Sequence, residues 1–384
     1  MKFLRWGIIL IIFCLPIYLI KFTILKIPTT ALELLIYVLV IIWFLKGGYR
    51  NLWDIVKHER LLVWGIVFFL LGVSVATMFS WDLRTSAGIW KAWFVDPILF
   101  FTVFITVIKK EDIKNVFKSI IFSGVVVALI SLVYLICGKL NYQGRLQGIF
   151  NSPNYLAMYL AVPLLLSLWF ALKEFRGTAR GFYGIIFLVL SIVIFFTKSF
   201  GALFGLIGAM GFGLIVYLYC RNREKIVLGI IIIGFVVVLI IGLWKIHSLE
   251  GLRSFDARFI IWKSAIDAFL ENPVTGIGPG TFEAYFPPYP KWGVPQPHNI
   301  FLAFLIQTGL IGFVGFTLIL IWFYKKSTKN LVLLCIMTYF LMHGLVDTTY
   351  WKNDLSLSFW TIIGAVTILQ FYRIEQSVAF INKK

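Results

Sequence analysis

The sequence predicts an all-α fold, a polytopic bundle of transmembrane helices that crosses the bilayer about twelve times. Hydrophobic residues make up 60% of the 384 residues and charged residues only 14%, a composition that excludes a soluble globular protein of this length. The apolar residues fall into runs of roughly the 20 residues that a helix needs to cross a bilayer. We therefore expect residues 1–384 to form a single transmembrane domain.

The predicted spans follow one another through short connections, except between the ninth and the tenth. Lys2 and Arg5 precede the first run as in a signal peptide, but the run continues to about Leu25 without a small-residue cleavage site, so it is predicted to be retained. The spans are predicted at residues 5–25, 29–45, 61–79, 88–108, 115–137, 153–172, 181–197, 200–220, 226–244, 299–324, 331–347 and 355–372.

The net charge of +18 raises the question of a nucleic-acid partner. The basic residues lie in short clusters between apolar runs, where membrane topology explains them, so no nucleic acid is expected. The cysteines, at positions 14, 137, 220 and 335, lie within apolar runs and show no C-x-x-C spacing. This pattern suggests neither a disulfide framework nor a thiolate metal site, and we expect no metal and no cofactor.

Basic residues are concentrated in alternate connections, for example Lys109, Lys110 and Lys114 before the fifth span and Lys325 and Lys326 after the tenth. The positive-inside rule then places both termini in the cytoplasm and residues 245–298 in a large loop outside it. An enzyme on that side lacks ATP and nucleotide sugars. Any group that it transfers must arrive activated, and a lipid-linked pyrophosphate meets this requirement.

The stretch Arg253–Phe301 has three parts of different character. Asp256–Leu270 is predicted to be an amphipathic interfacial helix. Glu271–Pro297 is rich in proline and glycine and is predicted to be a stiff, turn-rich connector. His298 and Asn299 open directly into the tenth span. The apolar residues that predict the amphipathic helix are Phe259, Ile260, Trp262, Ile266 and Phe269.

Cationic and imidazole side chains recur on the predicted outer side, and we expect them to reach one outward-facing cavity. They are Arg145 in GRLQGIFNSPNYLAMYL, Lys198 in TKSFGA, Arg258 in the amphipathic segment, His298 with Asn299 before the tenth span, and His343 with Asp347 one helical turn apart. Purely structural roles for these side chains stay open. In those alternatives Arg258 extends to lipid headgroups, the histidine only caps a helix, and His343 and Asp347 form a structural pair.

These residue types suit glycosyl transfer from a pyrophosphate. The leaving group gathers negative charge, which an arginine stabilises bidentately without losing its own proton. Lysine is a less directional substitute. An imidazole changes its charge near neutral pH and can take a proton from an acceptor hydroxyl, which accelerates such reactions by about 10²–10⁴-fold.

Arg258, Trp262, the run ENPVTGIGPGTF and the run PHNIFLAFLIQTGLIG together resemble the O-antigen ligase superfamily, which includes O-antigen polymerases. The similarity extends to RLQGIFNSPNYLAMYL and to the segment of His343 and Asp347, and it covers most of the chain from about Asn141. The predicted topology, with one large periplasmic loop between spans nine and ten, is also typical of that superfamily.

The resemblance implies a metal-independent glycosyltransferase of the membrane-embedded C type in the cytoplasmic (inner) membrane. Its donor is a glycan on undecaprenyl pyrophosphate, and its acceptor is a hydroxyl of a lipid A core sugar or another glycan. By the same resemblance Arg258 binds the pyrophosphate, His298 assists the acceptor hydroxyl, and Arg145 is a candidate for the same cavity. One position departs from the family: Phe200 stands where many members have arginine. Either Lys198 supplies that charge from a shifted position or the donor is held differently.

The sequence does not separate a ligase from a polymerase of the same superfamily. A protein O-oligosaccharyltransferase and a Gram-positive cell-wall glycan ligase also stay open. A transporter of lipid-linked glycans is the alternative from another class, and it predicts internal repeats and broken helices in matching halves. We find no repeat in the sequence, and the polar residues concentrate toward one face.

Overall fold

The protein is almost entirely helical, as predicted. The computed structural model describes residues 1–24, 27–174, 177–219, 249–285, 294–328 and 330–381. Its regular elements are α1 (Lys2–Phe13), β1 (Lys21–Ile24), β2 (Ile27–Thr30), α2 (Ala31–Leu45), α3 (Leu52–Val56), α4 (Arg60–Met78), α5 (Leu83–Ile89), α6 (Asp96–Val107), α7 (Ile113–Ile136), α8 (Pro153–Lys173), α9 (Gly177–Phe196), α10 (Phe200–Tyr219), α11 (Leu249–Glu271), α12 (Phe282–Tyr285), α13 (Ile300–Ser327), α14 (Leu331–Gly344) and α15 (Asn353–Ile381).

A small antiparallel hairpin departs from the all-α prediction. Strands β1 and β2 pair with Lys21 opposite Thr30 and Ile24 opposite Ile27. The two strands contain β-branched residues and Pro28, which favour extended backbone over helix. The first predicted span, residues 5–25, is consequently not one helix. Helix α1 ends at Phe13, and a three-ten turn with proline in its first turn spans Leu15–Leu19.

The protein is an integral membrane protein by the length and composition of its helices. In the described chain, eight helices can cross a membrane, and a ninth is counted if Ala31–Leu45 and Gly48–Val56, bent by 81°, form one span. The predicted span at 226–244 lies outside the described residues, and the total of twelve stays a prediction. The eight cover Arg60–Met78, Leu83–Val107, Lys110–Ile136, Pro153–Lys173, Gly177–Phe196, Phe200–Tyr219, Ile300–Ser327 and Asn353–Tyr372.

The chain folds into two compact units, each assembled from separate segments. Unit 1 comprises Met1–Arg60, Val95–Ala202 and Trp351–Lys384, and unit 2 comprises Leu61–Phe94 and Leu203–Tyr350. In unit 1, helices α7, α8 and α9 pack together. A side chain in place of Gly124 on α7 would lie within 2.5 Å of Pro163 on α8, so the small residue allows close helix contact.

Unit 2 is built around the pairing of α4 with α13. A Cβ atom on Gly72 of α4 would lie only 2.1 Å from the backbone nitrogen of Gly312 on α13, so the two backbones touch. Beside this contact, the rings of Phe69 and Phe304 pack with centroids 5.6 Å apart, and both rings also contact Tyr350. Helix α13 is therefore firmly held in the core of unit 2.

The predicted amphipathic helix is present as part of α11, but its predicted apolar face is only partly correct. The buried contact of α11 is made by Ile261, Ala265 and Ala268, and Trp262 and Phe269 of the predicted face pack against it. Other residues of that face are turned away from this core, since Phe259 is 62% exposed and Ile266 is 48% exposed. Helix α11 thus has apolar residues on two sides. The exposed side has the composition of a surface that contacts lipid.

Candidate functional site

His298 and Asn299 form the start of α13, as the sequence predicts. The Asn299 Oδ1 atom accepts hydrogen bonds from the backbone nitrogens of Phe301 and Leu302, both at 3.0 Å, and so caps the helix. The Nδ2 group of Asn299 donates to the carbonyl oxygen of Leu345 at 3.1 Å. Both ends of this amide thus contact protein atoms, and the side chain ties the start of α13 to the turn that follows α14.

The imidazole of His298 is held against a buried carboxylate. Its Nδ1 atom lies 3.2 Å from Oδ1 of Asp347, whose side chain is only 6% exposed, whereas that of His298 is 37% exposed. Asp347 also accepts a hydrogen bond from the backbone nitrogen of Thr348 at 2.9 Å. Because the carboxylate engages Nδ1, Nε2 is the ring nitrogen available to act on a ligand.

Backbone strain accompanies this placement. His298 has a left-handed φ of 48°, and the other non-glycine residue with positive φ in the described part of the chain is Lys198. Such a conformation is unfavourable for a side chain with a Cβ atom and is found mainly where surrounding contacts enforce it. Both residues are among those that the sequence singles out.

Arg258 on α11 and His343 on α14 interact electrostatically with the same carboxylate. Burial lowers the pKa of Arg258, and the charge of Asp347 opposes this effect. Arginine remains a cation under these conditions. His343 is fully buried, and its electrostatic partners are Asp347 and Arg258. Asp347 is therefore in contact with His298 and within electrostatic range of Arg258 and His343.

The predicted helical spacing of His343 and Asp347 is wrong. Helix α14 ends at Gly344, and the backbone nitrogen of Leu345 closes a turn onto the carbonyl oxygen of Met342. Asp347 therefore lies in the turn after α14, and it does not share one face of a helix with His343. The prediction assumed that the apolar run to residue 347 was one continuous helix.

The run ENPVTGIGPGTF forms a connector whose main chain makes hydrogen bonds to α13 at the point where that helix is interrupted. Gly309 has a left-handed φ of 63° and interrupts the helix. In an unbroken helix the Leu310 nitrogen would donate to the Ile306 oxygen. Instead, Leu310 donates to the Pro273 oxygen at 2.9 Å, and Ile306 accepts from the Ile277 nitrogen at 2.8 Å. Both main-chain groups freed by the break are thus satisfied by the connector.

Two buried amides strengthen the same junction. Gln307 on α13 accepts a hydrogen bond from the Gly280 nitrogen at 2.7 Å and donates to Gln296 Oε1 at 2.8 Å. The junction fixes the end of α11, which carries Arg258, relative to the segment that leads to His298. Sequence reasoning missed Gln307 and Gly309. The signal for Gln307 was an uncharged polar side chain inside an apolar helix.

Residues 185–317, which include Arg258 and His298, match the family model described as O-Antigen ligase. This segment is therefore similar to the O-antigen ligase family. The matched segment contains Arg258, the glycine-rich connector and His298, so the resemblance predicted from the sequence is confirmed and the protein has a function of the O-antigen ligase or polymerase type. A comparison with curated proteins gave no match.

Two of the predicted cations lie in unit 1. Arg145 donates from Nε to the Thr197 carbonyl oxygen at 2.9 Å and from Nη2 to Asn154 Oδ1 at 2.6 Å. Lys198 follows Thr197 directly, carries the left-handed backbone described above and has an exposed side chain. The structure therefore brings the Arg145 and Lys198 segments together. Phe200 begins α10 immediately afterwards.

The structure thus gathers the predicted residues into one set in each unit of the protein. Unit 2 holds the set around Asp347, and unit 1 holds Arg145 and Lys198. The prediction that all of them share a single outward-facing cavity stays a prediction, as does metal independence. Among the described residues, no group of three or more His, Cys, Asp and Glu side chains is arranged to hold a metal ion.

Tyr339 is a member of the unit 2 set that the sequence did not indicate. Its hydroxyl lies 2.7 Å from Nδ1 of His343, one turn further along α14, and both side chains are buried. Gly205 on α10 allows this arrangement, since a Cβ atom there would come within 3.0 Å of both side chains. The ring of Tyr339 thereby fixes the orientation of His343.

Proposed function

We propose that the protein is an O-antigen ligase that transfers a glycan from undecaprenyl pyrophosphate to a hydroxyl of a lipid A core sugar or another acceptor glycan. The observation that carries this proposal is the contact of His298 with the buried carboxylate of Asp347, with which Arg258 also interacts electrostatically. This arrangement offers a base for a hydroxyl and a cation for a pyrophosphate within one unit. Those are the two groups that such a transfer requires.

The proposed chemistry assigns a separate step to each side chain. The Nε2 atom of His298 takes the proton of the acceptor hydroxyl while that oxygen attacks the anomeric carbon of the donor sugar. The bond from this carbon to the pyrophosphate oxygen breaks, and the pyrophosphate leaves with its electron pair. Asp347 stabilises the imidazolium that forms on His298, as the carboxylate of a catalytic triad does. We expect inversion at the anomeric carbon.

Arg258 is proposed to bind the departing pyrophosphate. Its guanidinium has five N–H donors in a rigid fork that fits phosphate oxygens, and it keeps its charge when partly buried. Stabilising charge that develops on a leaving group inside a partly desolvated site has a large effect, about 10²–10³-fold per donor in comparable enzymes. His343 and Asn299 are proposed to position Asp347 and His298, respectively.

Arg145 and Lys198 are proposed to bind phosphate or glycan oxygens of the donor on unit 1. Arg145 keeps its positive charge, and its planar guanidinium group matches the geometry of phosphate oxygens. The proposed location of the whole protein is the cytoplasmic membrane, with both termini inside and the site facing outward.

Reconstitution tests the proposed reaction. The purified protein in proteoliposomes receives an undecaprenyl-pyrophosphate glycan and a lipid A core acceptor, and the products are identified by mass spectrometry. A ligase extends the core by a new glycosidic bond, whereas a polymerase lengthens the glycan on the carrier. Movement of the carrier across the bilayer without any new bond would instead identify a transporter, and the proposal would be abandoned.

A further inference from the structure

Lys352, in the connection between α14 and α15, is seated on aromatic rings of unit 1. Its Nζ atom lies 3.5 Å from the ring centroid of Tyr155, 5.7 Å from that of Tyr18 and 5.9 Å from that of Phe150. Nζ also donates a hydrogen bond to the Tyr18 hydroxyl at 3.3 Å. The ring of Tyr18 and two rings near the start of α8 therefore fix this ammonium group by cation–π contact and one neutral hydrogen bond.

The ammonium group is not neutralised by a close carboxylate. Within the described part of the chain, no Asp or Glu oxygen lies within salt-bridge distance of Lys352 Nζ. Asp354 acts on it only from further away. Burial lowers the pKa of Lys352 to about 8, an effect that Asp354 opposes and Lys21 reinforces. An ammonium has three N–H donors, and the hydrogen bond to the Tyr18 hydroxyl engages one of them, so this cation retains capacity for an anionic acceptor.

One ring that contacts Lys352 and one hydrogen-bond acceptor of Arg145 belong to neighbouring residues of the chain. Tyr155 follows Asn154 in the first turn of α8, and Asn154 accepts the hydrogen bond from Arg145. Arg145 in turn binds the carbonyl oxygen of the residue before Lys198. The segment of residues 145–155 thus carries Arg145, its acceptor Asn154 and two of the rings that contact Lys352.

We propose that Lys352 forms, with Arg145 and Lys198, a phosphate-binding surface on unit 1. This inference rests on the proposed function, and it names the ligand chemistry of unit 1 as the phosphate groups of a polyprenyl-pyrophosphate carrier. Phosphate oxygens accept hydrogen bonds from the compact, rotatable ammonium of lysine as well as from the fork of arginine. The aromatic seat holds Lys352 in place without a competing carboxylate, which leaves its charge for the ligand.

Binding of undecaprenyl pyrophosphate to the full-length protein in phosphatidylcholine nanodiscs tests the inference. Lys352→Gln should weaken binding by about tenfold, the effect of losing one charged hydrogen bond. Lys352→Arg, which keeps the charge, should bind within a few-fold of the wild type. Lys21→Gln removes a nearby exposed cation as the matched control and should leave binding unchanged. Nanodiscs with phosphatidylglycerol in place of undecaprenyl pyrophosphate distinguish the carrier from an ordinary phospholipid headgroup.

A purely structural role for Lys352 makes a different prediction. If the lysine only balances the buried Asp354, Lys352→Gln should lower the thermal midpoint, and Lys352→Gln with Asp354→Asn should restore both stability and binding. Unchanged binding in a folded Lys352→Gln protein, recovery of binding in the double variant, or equal loss with phosphatidylglycerol would each overturn the inference. The proposed function fails separately, if the wild-type protein binds the carrier but forms no glycosidic bond.

Discussion

The imidazole of His298 meets the carboxylate of Asp347 at 3.2 Å, although 49 residues separate the two in the chain. The contact depends on two helix ends, since His298 precedes α13 and Asp347 follows α14. Asn299 joins those ends through its hydrogen bond to the Leu345 carbonyl oxygen. The orientation of the imidazole is thus set by backbone geometry as well as by the acid.

Asp347→Asn should reduce glycan transfer by about 10²–10⁴-fold, the range typical of general-base assistance. The amide keeps the shape of the side chain, but it cannot stabilise the imidazolium that forms when His298 takes a proton. The measurement is the rate of product formation in proteoliposomes. Asp54→Asn is the matched control, because Asp54 pairs with Lys57 on an exposed surface. Transfer at wild-type rate by Asp347→Asn would remove this acid from the mechanism.

Arg258→Ala should abolish transfer, and Arg258→Lys should restore part of it, since lysine supplies the charge without the bidentate fork. The expected loss for alanine is at least about 10²–10³-fold. Lys263→Ala removes an exposed cation from the same helix and should have little effect. Detergent-solubilised protein is checked by size-exclusion chromatography for each variant. Equal activity of the Arg258→Ala and Lys263→Ala proteins would contradict the role of Arg258.

Gly309→Ala should destabilise the protein and lower transfer together. A Cβ atom at this position would lie 2.1 Å from the Val274 oxygen, and the left-handed φ of 63° adds strain of about 1–3 kcal/mol. The added methyl group therefore drives the connector away from the break in α13. Thermal unfolding in detergent measures the loss. Gly211→Ala, at a position with nothing within 4 Å of the added atom, should leave the midpoint unchanged; similar midpoints for the two variants would refute this account.

Much of the architecture and part of the site could be predicted from the sequence. Long apolar runs indicate where most of the described helices lie, because crossing a bilayer requires a set length of apolar residues. Arg258 and His298 could be recognised because they stand in a distinctive series of motifs. Their convergence on Asp347 required the structure, since the position of that acid depends on where α14 ends.

The other differences between the sequence prediction and the structure share a physical cause. In each, tertiary contacts override the local sequence pattern. The break at Gly309 lies inside an uninterrupted apolar run, and it is stabilised by hydrogen bonds from a connector about 30 residues earlier in the chain. Helix α11 buries Ile261 together with the small residues Ala265 and Ala268, whereas Phe259 and Ile266 of the predicted face are exposed. Periodicity alone cannot indicate that small residues take part in the buried contact.

Lys198→Asn should lower transfer if Lys198 supplies the charge that other family members carry at the position of Phe200. Asparagine is chosen because it tolerates the left-handed backbone better than alanine does. Phe200→Arg in the Lys198→Asn background should then restore activity, since it returns a cation to the start of α10. The rates of all three proteins are compared in the same proteoliposome assay. Full activity of Lys198→Asn, or no gain from Phe200→Arg, would argue against the shifted charge.

Cysteine labelling tests the orientation, because the proposed site must face away from the cytoplasm. Glu283→Cys places a thiol on an exposed part of the long loop, and Lys325→Cys places one at the exposed end of α13. Both are made after replacing the native cysteines by serine. A membrane-impermeant maleimide should label Glu283→Cys in intact cells, but Lys325→Cys only after permeabilisation, since the positive-inside rule holds the Lys325 cluster in the cytoplasm. The reverse pattern would place the loop beside cytoplasmic nucleotides and remove the reason for expecting a lipid-linked donor.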